Sequence, residues 1–162
     1  MEIYKKALSF DTSKDYVNAV IFYEQSISAN EIIRDAFINL SFIYWHSAAE
    51  FAWADYHNIP HSMREKGAKK YQEIIKLALK YFPDDVELHF WEKYFPHRLF
   101  FDPLTQEEVL HIVWRYSKKS LVPYFFLYLF DKVHYKRERD KLLLKCNEEK
   151  TAKNIYIATL IR

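Results

Sequence analysis

Glycine is almost missing from this chain. It occurs once, at Gly67, and proline occurs five times in 162 residues. Folds built from short strands need a tight-turn residue about every 8–12 positions, so this scarcity excludes them. It also excludes a phosphate-cradling glycine loop. Helices that end by some other means remain. Cysteine also occurs once, at Cys146, which excludes an internal disulfide. The opening Met-Glu-Ile-Tyr-Lys-Lys is followed by no apolar run, so no signal peptide is visible and the reducing cytoplasm is the expected compartment. The longest apolar stretch, 121–130, is far short of the ~18 residues that a membrane span requires, and it reads as a buried helix.

Apolar side chains are abundant: 50% of residues are hydrophobic and 19% aromatic, enough to give residues 1–162 the core of a single helical domain. Charge is balanced in total but not in position. Residues 1–114 hold 12 basic and 17 acidic side chains, whereas residues 115–162 hold 12 and 5. An acidic front and a basic tail can each steer a partner of opposite charge.

Periodicity and capping signals place the helices. The first is expected over 2–10 and the second over 15–29, where Val17, Ala19, Val20, Tyr23 and Ile27 recur at three- and four-residue spacing. From Glu31 the pattern runs without a breaker to about His57. Ser62-x-x-Glu65 reads as a capping box opening a helix that Pro83 stops, and Asp84-Asp85 opens a short helix over 86–94 that Pro96 halts. Residues 96–104 read as a loop. Thr105-x-x-Glu108 is a second capping box, opening a helix to Lys118. Further helices are expected from Pro123 to Lys136, from Glu138 to Cys146 and from Thr151 to Leu160, eight or nine in all.

Several of these segments carry a recurring small–aromatic pattern. Ala7 and Phe10, then Ala19, Tyr23 and Ser26, resemble the two helices of a tetratricopeptide (TPR) hairpin. Asn39-Leu40-Ser41-x-x-Tyr44 resembles the opening of a second, and 75–83, ending in Pro83, resembles its close. The ladder position of Ala19 recurs at Tyr71, too far along for the ~34-residue repeat, so both helices of this pair should be extended and project as an arm. The resemblance covers about half the chain. It implies an all-α, short solenoid of antiparallel hairpins without catalytic activity or cofactor.

The resemblance also implies a concave ligand surface formed by Asp35, Ile38, Asn39, Phe42, Trp45 and His46, followed by Glu87 and Trp91. Asn39 matches the asparagine of the family's carboxylate clamp, but Glu87 and Trp91 stand where the clamp's cations belong, so an acidic C-terminal tail is not the expected ligand. A basic or mixed protein segment suits this acid-flanked aromatic set, with simple core packing as the competing reading. Phe51, Trp53 and Tyr56 fall on the projecting arm, where exposure would mark a partner or homodimer surface.

Other clusters carry weaker signals. His57 and His61 have metal-like spacing, but Pro60 lies between them and no third ligand is indicated. His46 and Glu50 lack a nucleophile or an oxyanion site to serve. Lys141 and Lys145 would favour the thiolate of Cys146, but no base accompanies it, and a bystander thiol is the simpler reading. In the basic run 134–141, Lys136, Arg137 and Arg139 are candidate nucleic-acid contacts, but Glu138 and Asp140 point instead to a salt-bridged helix face.

The expected function is therefore non-catalytic protein binding. A bacterial immunity protein, whose acidic front covers a toxin's basic active site, is its specific form, and the Lys-, Ile-, Phe-, Tyr- and Asn-rich composition accords with an AT-rich genome. The alternative is a nucleic-acid-binding or regulatory protein that uses the basic tail. Neither reading involves a metal or a membrane.

Overall fold

The computed structural model describes residues 1–162, which form ten helices and no strand. With one glycine available, the helices turn off by placing other residues in the left-handed region: Lys14 (φ 66°), Asn30 (φ 56°), Asn58 (φ 54°) and Phe101 (φ 57°). The first three close α1 (Glu2–Thr12), α2 (Tyr16–Ser28) and α4 (Phe51–Tyr56) with one shared pattern. The amides of Lys14, Asn30 and Asn58 donate to the carbonyls of Asp11, Ile27 and Asp55 at 2.9, 3.1 and 3.1 Å. The amides of Asp15, Glu31 and Ile59 reach back to Phe10, Ser26 and Ala54 at 2.9, 3.0 and 3.0 Å. This double closure satisfies carbonyls that a helix end otherwise leaves open. Asparagine tolerates the left-handed region better than most residues, which suits it to two of the three sites.

The chain divides into two compact units. The first comprises residues 1–81 and 151–153. In it α1 packs on α2, α2 on α3 (Arg34–Ala49), and α3 on α5 (His61–Tyr81). The α3–α5 crossing is so close that a Cβ at Gly67 would stand 2.6 Å from Tyr44 Cδ1 and 3.0 Å from Tyr44 Cα. The close-approach position is thus Gly67, one turn before Tyr71, which fills the interior beside it at 1% exposure.

A buried polar chain ties this unit together. Asp11 is 0% exposed on α1. Its carboxylate accepts from Tyr23 Oη (2.9 Å) and from the backbone N–H of Ala152 (2.7 Å), while Asn39 Nδ2 donates to Tyr23 Oη (3.1 Å). Ala152 is the first residue of α10 (Ala152–Ile161), so the carboxylate sits where a helix N-terminus favours negative charge.

The uninterrupted helix expected from Glu31 to His57 is instead two helices. At Glu50 the backbone leaves the helical region (φ −124°, ψ 86°), α3 ends at Ala49, and α4 starts at Phe51. No breaker in the sequence causes this. The bend returns Trp53 to the body of the unit, and burying most of an indole contributes about 2 kcal/mol, more than the hydrogen bond or two lost at a helix break. The projecting arm is therefore folded back. Nor does Ser62 cap α5: it lies inside the first turn, because Pro60 already accepts from the amides of Met63 and Arg64 at 3.0 and 3.1 Å.

The second unit comprises residues 82–150 and 154–162. Asp85 caps α6 (Val86–Phe100) by accepting from the Leu88 amide at 3.1 Å. The α6 helix does not stop at Pro96 but runs through it to Phe100. An interior proline costs a helix about 3 kcal/mol. Here the flanking rings of Trp91, Tyr94 and Phe95 are all buried, and Tyr94 lies 5.2 Å edge-on to Phe125, packing that offsets the loss. The capping box at Thr105 forms in full at the start of α7 (Gln106–Arg115): Thr105 Oγ1 accepts from the Glu108 amide (3.2 Å) and Glu108 accepts from the Thr105 amide (2.7 Å). The Thr105 amide and hydroxyl, both donating to the Glu108 carboxyl, hold it below its ordinary pKa. α8 (Tyr124–Phe130) ends earlier than Lys136, which instead opens α9 (Lys136–Glu148). No helix is long and apolar enough to cross a membrane.

Candidate functional site

The residues expected to line a concave ligand surface are mostly interior. Ile38, Phe42 and Trp91 are 0% exposed, Trp45 1%, Asn39 3%, Glu87 4% and His46 7%. The polar groups of Asn39 and Glu87 are engaged inside the protein: Asn39 donates to Tyr23, and Glu87 accepts from Trp91 Nε1 (3.1 Å) and from Ser120 Oγ (3.3 Å). This corrects the groove expectation. In a chain with a single glycine, the aromatic positions of α3 and α6 are used as core filler. Asp35 alone keeps substantial solvent access, paired with Arg34 at 2.6 Å.

The three aromatics of the expected arm divide. Phe51 and Tyr56 are 68% and 81% exposed, whereas Trp53 turns inward. Its ring lies 4.4 Å from His46, 4.9 Å from Tyr16 and 5.0 Å from His57, and His57 in turn meets Tyr16 at 4.6 Å. Burial, with His57 nearby, lowers the pKa of His46 to about 4, and burial with Lys14 lowers that of His57. At neutral pH the stack holds neutral rings. Burial and the Asp11 carboxylate push the Tyr16 phenol up, so it too stays uncharged.

Two further contacts fasten α4 from its other end. Ala54 and Ile59, joined by a backbone hydrogen bond across the turn at Asn58, are both buried. Arg64 on α5 donates from Nε to the Ile59 carbonyl (2.9 Å) and from Nη2 to Asp55 (2.6 Å). The result is a short, fixed knuckle presenting Phe51 and Tyr56 to solvent, with the exposed Glu50 beside them and Asp55 70% exposed at its side chain. Sequence reading found the knuckle's aromatics but missed its fasteners, Tyr16, His57 and Arg64. The placement of Arg64 a turn after Pro60 was the available signal.

The remaining candidates are placed as follows. His61 pairs with Glu65 at 3.3 Å, while His57 belongs to the ring stack. Glu50 is exposed at the helix break and His46 is stacked beneath Trp53. Cys146 is buried at 2% exposure. Arg139 is committed internally: it donates to Tyr128 Oη (3.0 Å), lies 4.9 Å over that ring, and pairs with Asp140 at 3.0 Å. Lys136 and Arg137 are exposed and make no ion pair, so of the alternating charges in this run only Arg139 and Asp140 form a salt bridge.

Comparison with protein-family models, with curated proteins and with solved structures returned no match.

Proposed function

We propose that this chain is a non-catalytic protein-binding module, built from TPR-like helical hairpins, whose contact element is the α4 knuckle. The observation that carries the reading is the pinned presentation of Phe51 and Tyr56. Large aromatics are the side chains most often dominant in protein interfaces, and burying exposed ones on a prefixed element costs little conformational entropy. The neighbouring Glu50 and Asp55 favour a partner whose receiving surface is basic around an apolar pocket. A toxin's cationic active-site cleft has that chemistry, and immunity by occlusion is the specific form of the proposal.

The experiment is capture of partners from native cells by the tagged protein, run beside a Phe51→Ser/Tyr56→Ser variant and, as control, Trp114→Ser at an exposed aromatic outside the knuckle. Both substituted aromatics are largely exposed, so the variant should retain its melting temperature. A stoichiometric protein lost with the knuckle variant and kept with the control supports the reading, and a co-encoded toxin would supply its specific form. Equal capture by all three proteins would remove the knuckle as the contact element.

A further inference from the structure

A second surface has the opposite chemistry. Between α8 and α9, Asp131 shapes the connection: its Oδ1 accepts from the amides of Val133 (3.2 Å) and His134 (2.9 Å). The ordered turn presents Val133 at 89% exposure. Along the following helix Arg137, Lys141 and Leu144 recur at one-turn spacing on the solvent face, and Leu144 is 67% exposed. Val133, Leu144, Lys136, Arg137 and Lys141 line a notch of about 480 Å³ together with Asp140. None of its three cations makes an ion pair, whereas Arg139 of the same helix is held inward by Tyr128.

We propose that this notch is a docking site for an acidic amphipathic segment of another protein. An apolar side chain of that segment seats between Val133 and Leu144, and its carboxylates pair with Lys136, Arg137 and Lys141. Charge complementarity selects the occupant, and shape and composition narrow it. A phosphate backbone would have no use for two aliphatic walls, and an anionic bilayer would meet the carboxylate of Asp140 among the cations. The site lies outside the α4 knuckle and carries opposite charge, so the two readings stand or fall separately.

The test uses the full-length ¹⁵N-labelled protein and a synthetic amphipathic helix with leucine along one face and glutamate elsewhere. Single-stranded oligothymidylate and phosphatidylserine-containing vesicles are titrated in parallel. Saturable shifts of the Val133 and Leu144 amides by the peptide are expected, weakened about tenfold by Lys136→Glu/Lys141→Glu. They should also be lost in Val133→Ser/Leu144→Ser, a variant that keeps every charge and alters only exposed positions. Tighter binding of oligothymidylate or vesicles than of peptide overturns the proposal. So does peptide binding that survives the serine variant, or shifts that map away from the notch.

Discussion

The imidazole of His46 and the indole of Trp53 lie 4.4 Å apart and only 21° from parallel, across the one place where the α3 helix gives up its hydrogen bonding. The break and the stack are two sides of one balance. If Trp53 carries the return of α4, its truncation releases the knuckle. Trp53→Ala should cost about 3 kcal/mol, typical of a largely buried aromatic, when measured by urea denaturation. Hydrogen exchange should rise over residues 51–60 and little in α1. A uniform rise across the first unit would mean that α4 does not open on its own.

The same stack sets an acid limit. The folded-state pKa of His46 is depressed to about 4 from 6.5, so between those values the unfolded chain binds the proton that the folded one refuses. Stability is therefore complete above pH 6.5 and falls as pH drops toward 4. The loss from this residue reaches a ceiling of about 3 kcal/mol, because each tenfold difference in proton affinity between the two states is worth about 1.4 kcal/mol. His57, lowered in the same direction, adds to the slope. His46→Phe keeps a ring against Trp53 and removes the titration, so its stability curve from pH 7 to 4 should be flatter than the parent's. Parallel curves would show that His46 does not supply the slope.

Gly67 tests the α3–α5 crossing. Glycine to alanine in an exposed helix ordinarily gains up to about 1 kcal/mol. Here the new methyl would meet Tyr44 Cδ1 at 2.6 Å and backbone Cα at 3.0 Å, and the helices must separate to admit it. Overpacking of this kind costs about 1–3 kcal/mol, so the net sign reverses and Gly67→Ala should lower the urea midpoint. A raised midpoint would show that the crossing has slack.

What the sequence discloses and what it hides follow from the range of the forces involved. Local signals were legible: the capping box at Thr105, the cap at Asp85 and the amphipathic pattern of α2 all act within one turn. The break at Glu50 and the passage of α6 through Pro96 were not, because rings distant along the chain decide both. Of the candidate site, Phe51 and Tyr56 were legible as aromatics on an underpacked segment. Trp53 carries the same signal and faces the other way, a distinction that Tyr16, 37 positions earlier, settles. The expected groove residues failed for a related reason. Apolar periodicity marks a buried face, and it does not say whether a ligand or the protein itself does the burying.

Asp11 gives the most demanding prediction, because its carboxylate serves two elements at once. It accepts from Tyr23, which Asn39 supports in turn, and from the Ala152 amide at the start of α10. Tyr23→Phe removes one hydroxyl, leaving Asp11 its backbone donor and Asn39 without this acceptor. It should cost about 1–2 kcal/mol. Asp11→Ala strands both the Tyr23 hydroxyl and the Ala152 N–H, so about 3–5 kcal/mol is expected, with hydrogen exchange at Ala152 rising more than at α2 amides. In the double variant the Tyr23 donor is gone before the carboxylate is removed. The two costs should therefore fall short of adding, by about 1 kcal/mol or more, the signature of residues in one network. Strict additivity would mean that Asp11 and Tyr23 stabilise the unit independently, and that the 2.9 Å contact between them carries no energy of its own.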